Sequence, residues 1–345
     1  MPRDEKVTVK WDINKKWEEL KETKVEYVNP DIDIKPVPGV RYFMTETGGQ
    51  KQSKFHEFIA MIITLFICAT VPVLLVLTVI GWYSVIARVL ILCSFLTLLI
   101  PCKVYDKSVL KWKIWDTLYD YFSYSIIFDG EFDQKAHYPH GVNPLGCIIS
   151  GFAFPHFSPD VPCYSLTTES ALVVPFYGMI LKWMGCITAT KENIRKALRE
   201  GSCAVVVDGI AGMYINEPNK EMVKFSGRKG FVRAAVETGT QIAPVYQFGT
   251  SQMMKLYPKF MEPIARKLAC AIGIIVGRMG LPIPYRVPIM SVIGRSVEVK
   301  QMDKNDPAFD AYVDEIQQKV ADELQRVYYK YRCVYGWSQR PLELY

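Results

Sequence analysis

The sequence predicts an α/β fold carried on an N-terminal membrane hairpin, and three observations predict it. From Phe58 to Ile80 the chain carries no charge, a run long enough at about 1.5 Å per residue to cross a hydrocarbon core of about 30 Å. Behind it, short apolar runs at Ala204–Val207 and Ile242–Phe248 alternate with helical patterns over Lys191–Glu200 and Arg228–Thr238. Strands that alternate with helices build a largely parallel sheet. Near the end, Val313, Ile316, Val320, Leu324 and Val327 fall on one stripe of a helix from Ala308 to Tyr331, as packing on that sheet requires.

Taken in order, residues 1–54 read as a cytosolic arm. Eleven basic and eleven acidic residues balance up to position 57, and the proline-rich stretch Asn29–Gly39 breaks any long helix. Residues 55–102 are the hairpin: after a break at Gly81–Ser84 a second apolar run, Val85–Ile100, carries only Arg88. Lys51 and Lys54 precede it and Lys103, Lys107, Lys111 and Lys113 follow, which places both flanks in the cytosol. Two spans and a re-entrant wedge both fit. A buried hairpin of a soluble protein is the competing reading, opposed by the length of the uncharged run. A cleaved signal peptide begins nearer the N-terminus than this.

Residues 103–345 form the α/β domain. Its first stretch, Lys103–Phe128, mixes lysines with Trp, Tyr and Phe, in the manner of either an interfacial helix or a soluble aromatic-rich one. Between the second strand and the last helix, Lys255–Tyr285 holds the apolar stretch from Ile264 to Val276 bounded by prolines. It is too interrupted to span, and reads as a second membrane-contacting element or a buried helix.

Composition narrows the function. With 345 residues, 50% hydrophobic and 22% charged, the chain can bury a sizeable core and is neither disordered nor collagenous. Lys plus Arg exceed Asp plus Glu by 41 to 35 with no contiguous basic block, which disfavours nucleic acid and leaves an anionic membrane surface or a phosphorylated cosubstrate. The 9 cysteines include no C-x-x-C pair and read as reduced packing residues of a cytosol-facing protein. There is no dinucleotide fingerprint and no phosphate loop. Gly249-Thr250-Ser251-Gln252-Met253 lacks the closing glycine of a nucleophile elbow, which disfavours a serine hydrolase. No metal site or prosthetic group is indicated.

Among the 4 histidines, His140 stands between Pro139 and Gly141, a setting that suits a histidine held on a tight loop and open on one side. Alone, Tyr138-Pro139-His140-Gly141 reads better as a loop histidine with no task. Joined to Gly185-Cys186-Ile187, Val205–Gly209, Arg228-Lys229-Gly230-Phe231, Pro244–Gly249 and Gly280–Gly294 in that order, it resembles the type-two diacylglycerol acyltransferase family, which includes monoacylglycerol and wax-alcohol acyltransferases. The resemblance covers about residues 55–340. It implies a membrane-anchored acyltransferase fold that moves a fatty acyl group from acyl-CoA to a lipid hydroxyl, diacylglycerol first, with His140 as general base and acyl-CoA as cosubstrate rather than resident cofactor.

The resemblance further implies an endoplasmic reticulum membrane protein with a cytosolic catalytic part, also found on lipid droplets, and leaves a homo-oligomer open. Arg228 and Lys229, with Gly230 and Phe231, are expected to meet the CoA phosphates at a helix start. Amides at Gly141 or Gly209 are candidates for the oxyanion. Departures count as well. Tyr138 stands where animal members carry His, and it is assigned no chemical role. Where the family has a Gly-Gly turn and then Glu, this chain has Asp208-Gly209 and then Gly212, so an acidic partner for His140 falls to Asp208, or else Glu169. Leu145 stands where the broader glycerolipid acyltransferases have Asp. The rival readings are a monoacylglycerol or long-chain alcohol acceptor, and a catalytically inactive lipid-droplet scaffold.

Overall fold

The computed structural model describes residues 41–44, 54–129, 136–141, 150–151, 161–215, 217, 219–333, 335–337 and 339–345. An eight-stranded sheet organises them in the order β1-β2-β11-β8-β3-β6-β4-β5. Its members are β1 (Arg41–Met44), β2 (Ser125–Phe128), β3 (His137–Gly141), β4 (Cys163–Thr167), β5 (Cys186–Thr188), β6 (Ser202–Val206), β8 (Val245–Phe248) and β11 (Met290–Ile293). Two small ladders join β9 (Lys255–Tyr257) to β10 (Ile274–Val276), and β7 (Glu221–Val223) to β12 (Leu342–Leu344).

The expectation of a largely parallel sheet holds from β8 through β3, β6 and β4 to β5. Only β11 against β8 and β1 against β2 are antiparallel. The reason is the connection: residues 249–289 leave the end of β8 and return to the same end, where Met290 pairs with Phe248. A parallel pairing would need a crossover to the far end. Most of the expected N-terminal arm lies outside the described residues, but its residues 41–44 form the edge strand β1.

Among the helices of the described residues, those that position the site are α1 (Lys54–Gly81), α2 (Val85–Leu96), α3 (Asp116–Tyr121), α4 (Tyr177–Trp183), α5 (Lys191–Glu200), α6 (Gly209–Gly212), α7 (Gly230–Thr238), α8 (Glu262–Lys267) and α9 (Phe309–Tyr331). α7 and α9 cover one face of the sheet, where Val313, Ile316, Val320, Leu324 and Val327 pack with Val232, Tyr246, Phe248 and Val292. The other face lies under the first half of α1 with α3 and α4, where Ala60, Ile67, Leu118 and Leu181 pack with Tyr138, Ile126 and Val245.

Between α1 and α2 the turn falls at the break expected from the sequence, and Ser84 caps α2 by accepting from the Ala87 amide. α1 is the one described helix long and apolar enough to cross a membrane. The aromatic stretch after the hairpin is not one helix. It breaks after α3, with Ser123 in the left-handed region, and enters β2, so Trp115, Tyr119, Tyr121, Phe122 and Tyr124 are core side chains. Residues 255–285 are likewise not one helix. Pro258, Pro263 and the left-handed Ala269 and Gly273 divide them into β9, α8 and β10.

Candidate active site

In an open α/β sheet, ligands bind outside the carboxyl ends of parallel strands, and three adjacent strands here end in polar chemistry. β3 ends in His140-Gly141, so the histidine closes a strand instead of riding a loop. On one side β6 ends at Val206, in register with His140, and runs two residues on to Asp208. On the other, β8 places Val245 opposite His140 and Tyr246 opposite Gly141, then turns at Gly249 toward Thr250 and Ser251. Gly249 sits at φ 89°, and a Cβ there would lie 2.2 Å from the Pro288 carbonyl oxygen. Only glycine fits that turn.

The pleat decides which layer each position belongs to. Val245 and Tyr138 belong to the core beneath α1, and Tyr246 to the core beneath α7 and α9. Position 140, two from Tyr138 and in register with Val245, is on the α1 layer of the pleat. The His140 side chain is outside the described residues, as are residues 142–149 with Leu145. Tyr138 and Pro139 are buried.

On the α7–α9 side the strand ends open into a narrow crevice lined by Asp208, Gly212, Glu217, Glu221, Tyr246 and Ser251, among others. Asp208 is almost fully buried and accepts a 2.5 Å hydrogen bond from the Lys224 amide. Burial pushes its carboxyl up to about 7, against the pull of that amide and of the Arg228 charge. A Cβ added at Gly212 would meet the Asp208 Cβ at 2.6 Å. Asp at 208 and Gly at 212 are therefore one steric choice, since both face the same space four residues apart.

Glu221 is the residue the sequence reading missed. Its carboxylate accepts from Ser251 Oγ at 2.8 Å, Tyr246 Oη at 3.0 Å and Arg340 Nε at 2.7 Å, and burial pushes it up while Arg340 pulls it down. No local motif announces it. β7 and β12 pair across more than a hundred residues, and only that pairing brings Arg340 to Glu221.

The remaining expected residues scatter around this edge. Glu169 is exposed after β4, which β6 separates from β3. Gly209 begins α6 at φ 55°. α7 starts at Gly230, two residues later than expected, because the Arg228 amide closes a turn onto the Phe225 carbonyl. Lys229 pairs with Asp314 of α9 at 2.5 Å. Phe231 is a core side chain packed edge-on against Phe225.

Comparison with known proteins agrees on one group. The family described as "Diacylglycerol acyltransferase" matches residues 75–344. The chain is 26% identical over 257 residues to diacylglycerol O-acyltransferase 2B of Umbelopsis ramanniana, covering 66% of this chain and 73% of that protein. It is 26% identical over 255 residues to 2-acylglycerol O-acyltransferase 1 of Bos taurus, covering 66% and 75%. Acyl-CoA wax alcohol acyltransferase 1 of Mus musculus is 24% identical over 278 residues, covering 71% and 83%.

Proposed function

Since the chain belongs to the diacylglycerol acyltransferase family, we propose that it makes triacylglycerol by moving a fatty acyl group from acyl-CoA to the free hydroxyl of diacylglycerol at a membrane surface. The observation that supports this most is the end of β3, where His140 and Gly141 lie between the strand ends that carry Asp208 and Ser251.

An alcohol is a poor nucleophile toward a thioester unless its proton leaves as the new bond forms. Imidazole, whose unperturbed pKa is near 6.5, suits that task at neutral pH, and His140 is the base for that proton. The hydroxyl oxygen bonds to the thioester carbon, the C–S bond breaks, and the departing CoA thiolate takes the proton from the imidazolium. Thiolate is a good leaving group, so direct attack needs no covalent enzyme intermediate. The oxyanion is met by backbone amides at Gly141 or Gly209. Asp208 holds a proton near neutrality and tunes the charge of the strand-end edge, while Arg228 and Lys229 offer positive charge to the CoA phosphates at the start of α7.

α1 and α2 are the membrane hairpin in this reading, with the catalytic domain cytosolic at the endoplasmic reticulum and on lipid droplets. Position 140 is on the pleat layer that α1 covers, so an acceptor dissolved in the bilayer reaches the base from the hairpin side. Relatives named for monoacylglycerol and wax-alcohol substrates favour a second reading: the same chemistry on those acceptors.

The test is acyl transfer from labelled oleoyl-CoA in membranes holding the wild-type chain or His140→Ala, with diacylglycerol, monoacylglycerol and hexadecanol offered in parallel. Triacylglycerol as the main product, lost in His140→Ala at equal expression, is expected. A main product from another acceptor moves the activity to the second reading, and no product from any acceptor overturns the enzyme and leaves the inactive scaffold.

A further inference from the structure

The excursion from β8 to β11 carries large apolar side chains outward. Phe260, Ile264 and Leu268 recur every fourth residue along α8 and its flanks, and Ala265 of the same helix is buried. Such spacing puts the three on one exposed stripe. Beside it, β9 and β10 pair Tyr257 with Ile274, so both occupy one face of that ladder, while Leu256 points inward. Phe260, Leu268, Ile274 and Met279 are 75%, 60%, 70% and 67% exposed. Leaving this much apolar surface in water is costly, and a contiguous patch marks a contact site.

Two observations identify what covers it. Around the stripe stand Lys255, Lys259, Arg266 and Lys267, with Glu262 the one acidic residue from 255 to 267, and Glu262 is engaged by Arg266 and Lys224. Cations around an apolar surface suit anionic lipid headgroups over acyl chains. The patch also continues into the hairpin. Arg278 and Arg286 both pair with Glu57 in the first turns of α1, at 2.6 and 3.7 Å, where Phe55, Phe58 and Ile62 are exposed in turn.

Beneath the patch is the strand-end edge. Leu256 and Ala265 pack with Tyr214 against Ile210 and Met213, directly after Asp208 and Gly209. Ser170, next to Glu169, donates to the Ala269 carbonyl at 2.5 Å. We infer that residues 257–281 form a second lipid-contacting platform, bedded in an anionic bilayer surface beside the hairpin, over the route by which a lipid acceptor enters the strand-end site. The inference rests on reading α1 and α2 as a membrane hairpin.

The test uses the full chain in vesicles of phosphatidylcholine and phosphatidic acid, with the photo-crosslinking residue benzoylphenylalanine at Leu268, Ile274 or Met279. Val76 in the hairpin and Lys319 on α9 are the references. Lipid adducts at 268 and 274 within about threefold of those at Val76, and at least about tenfold above those at Lys319, are expected for a surface bedded among headgroups. Lipid adducts at Val76 with only the Lys319 level at 268, 274 and 279, or adducts there to protein in place of lipid, overturn the platform and leave the hairpin standing. Loss of lipid adducts at Val76 as well overturns the hairpin and the platform with it.

Discussion

α1 and α9 are the two long helices among the described residues, and they are built inside out from one another. α9 turns Val313, Ile316, Val320 and Leu324 into the sheet and leaves Asp310, Asp314, Glu315 and Lys319 to water. α1 turns mostly small and hydroxyl-bearing residues inward, Ala60, Thr64, Cys68 and Thr70 beside Ile67, and leaves Phe58, Ile62, Phe66, Val73 and Val76 outside. Val320 is 0% exposed and Val76 57%. A helix facing water on its outer side stays folded by hiding its large apolar groups. One that shows them over its whole length, with hydroxyls such as Thr64 and Thr70 bonded back to its own carbonyls, is built for an apolar surrounding. The same amino acid type therefore has opposite roles in the two helices.

The largest effect separates them directly. Val320→Asp places a carboxylate in the core between α9 and the sheet, a change of several kcal/mol, and is expected to abolish the folded domain as read by near-UV circular dichroism and protease resistance. Next, Arg340→Ala leaves Glu221 buried without its cation and is expected to cost about 3–5 kcal/mol, seen as a lowered urea midpoint. Should Arg340→Ala unfold no more easily than wild type, the crevice wall does not depend on that pair.

Val76→Asp is expected to cost about 2.5–3.5 kcal/mol of membrane insertion and to leave the α/β domain intact, the reverse outcome to Val320→Asp. Carbonate extraction of membranes reads it. Extraction unchanged from wild type would erase the contrast between the helices.

The smallest effect is electrostatic. Asp208 holds its proton up to about 7 in the folded chain, against about 3.9 for an unfolded aspartate. The folded state thus binds the extra proton, so stability from this group is full below the unfolded value and is lost as pH rises through about 7. Asp208→Asn is expected to flatten the fall in melting temperature between pH 5 and pH 8 by a few degrees. Glu221, also pushed up by burial, keeps the remainder of the slope. An unchanged slope would mean that Asp208 is ionised throughout.

Local signals made much of this legible. The hairpin turn at Gly81–Ser84, α5 and the stripe of α9 follow from charge-free length, capping and a period of 3.6. Strands β6 and β8 follow from short β-branched runs. What the sequence could not reveal depends on distant pieces meeting. Glu221 gains Arg340 through β7 and β12, β11 runs against β8 because its connection returns to the same end, and the aromatics from Trp115 to Tyr124 are core because α1 and α4 cover them. Of the two readings of 255–285, the buried helix fails because the apolar content of the stretch hides the backbone breaks at Pro258 and Ala269. His140 was singled out by motif order, while its place at the end of β3, in register with Val206 and Val245, is a property of the sheet.

The most direct test of the account is the kinetics of His140→Ala, purified in detergent with diacylglycerol and oleoyl-CoA. If the imidazole is the base, kcat falls about 10²- to 10⁴-fold while KM for oleoyl-CoA stays within a few-fold, and the rise of kcat with pH that reports the base disappears. A kcat within a few-fold of wild type, with the pH profile intact, would contradict the assignment and move the base to another group on the strand-end edge.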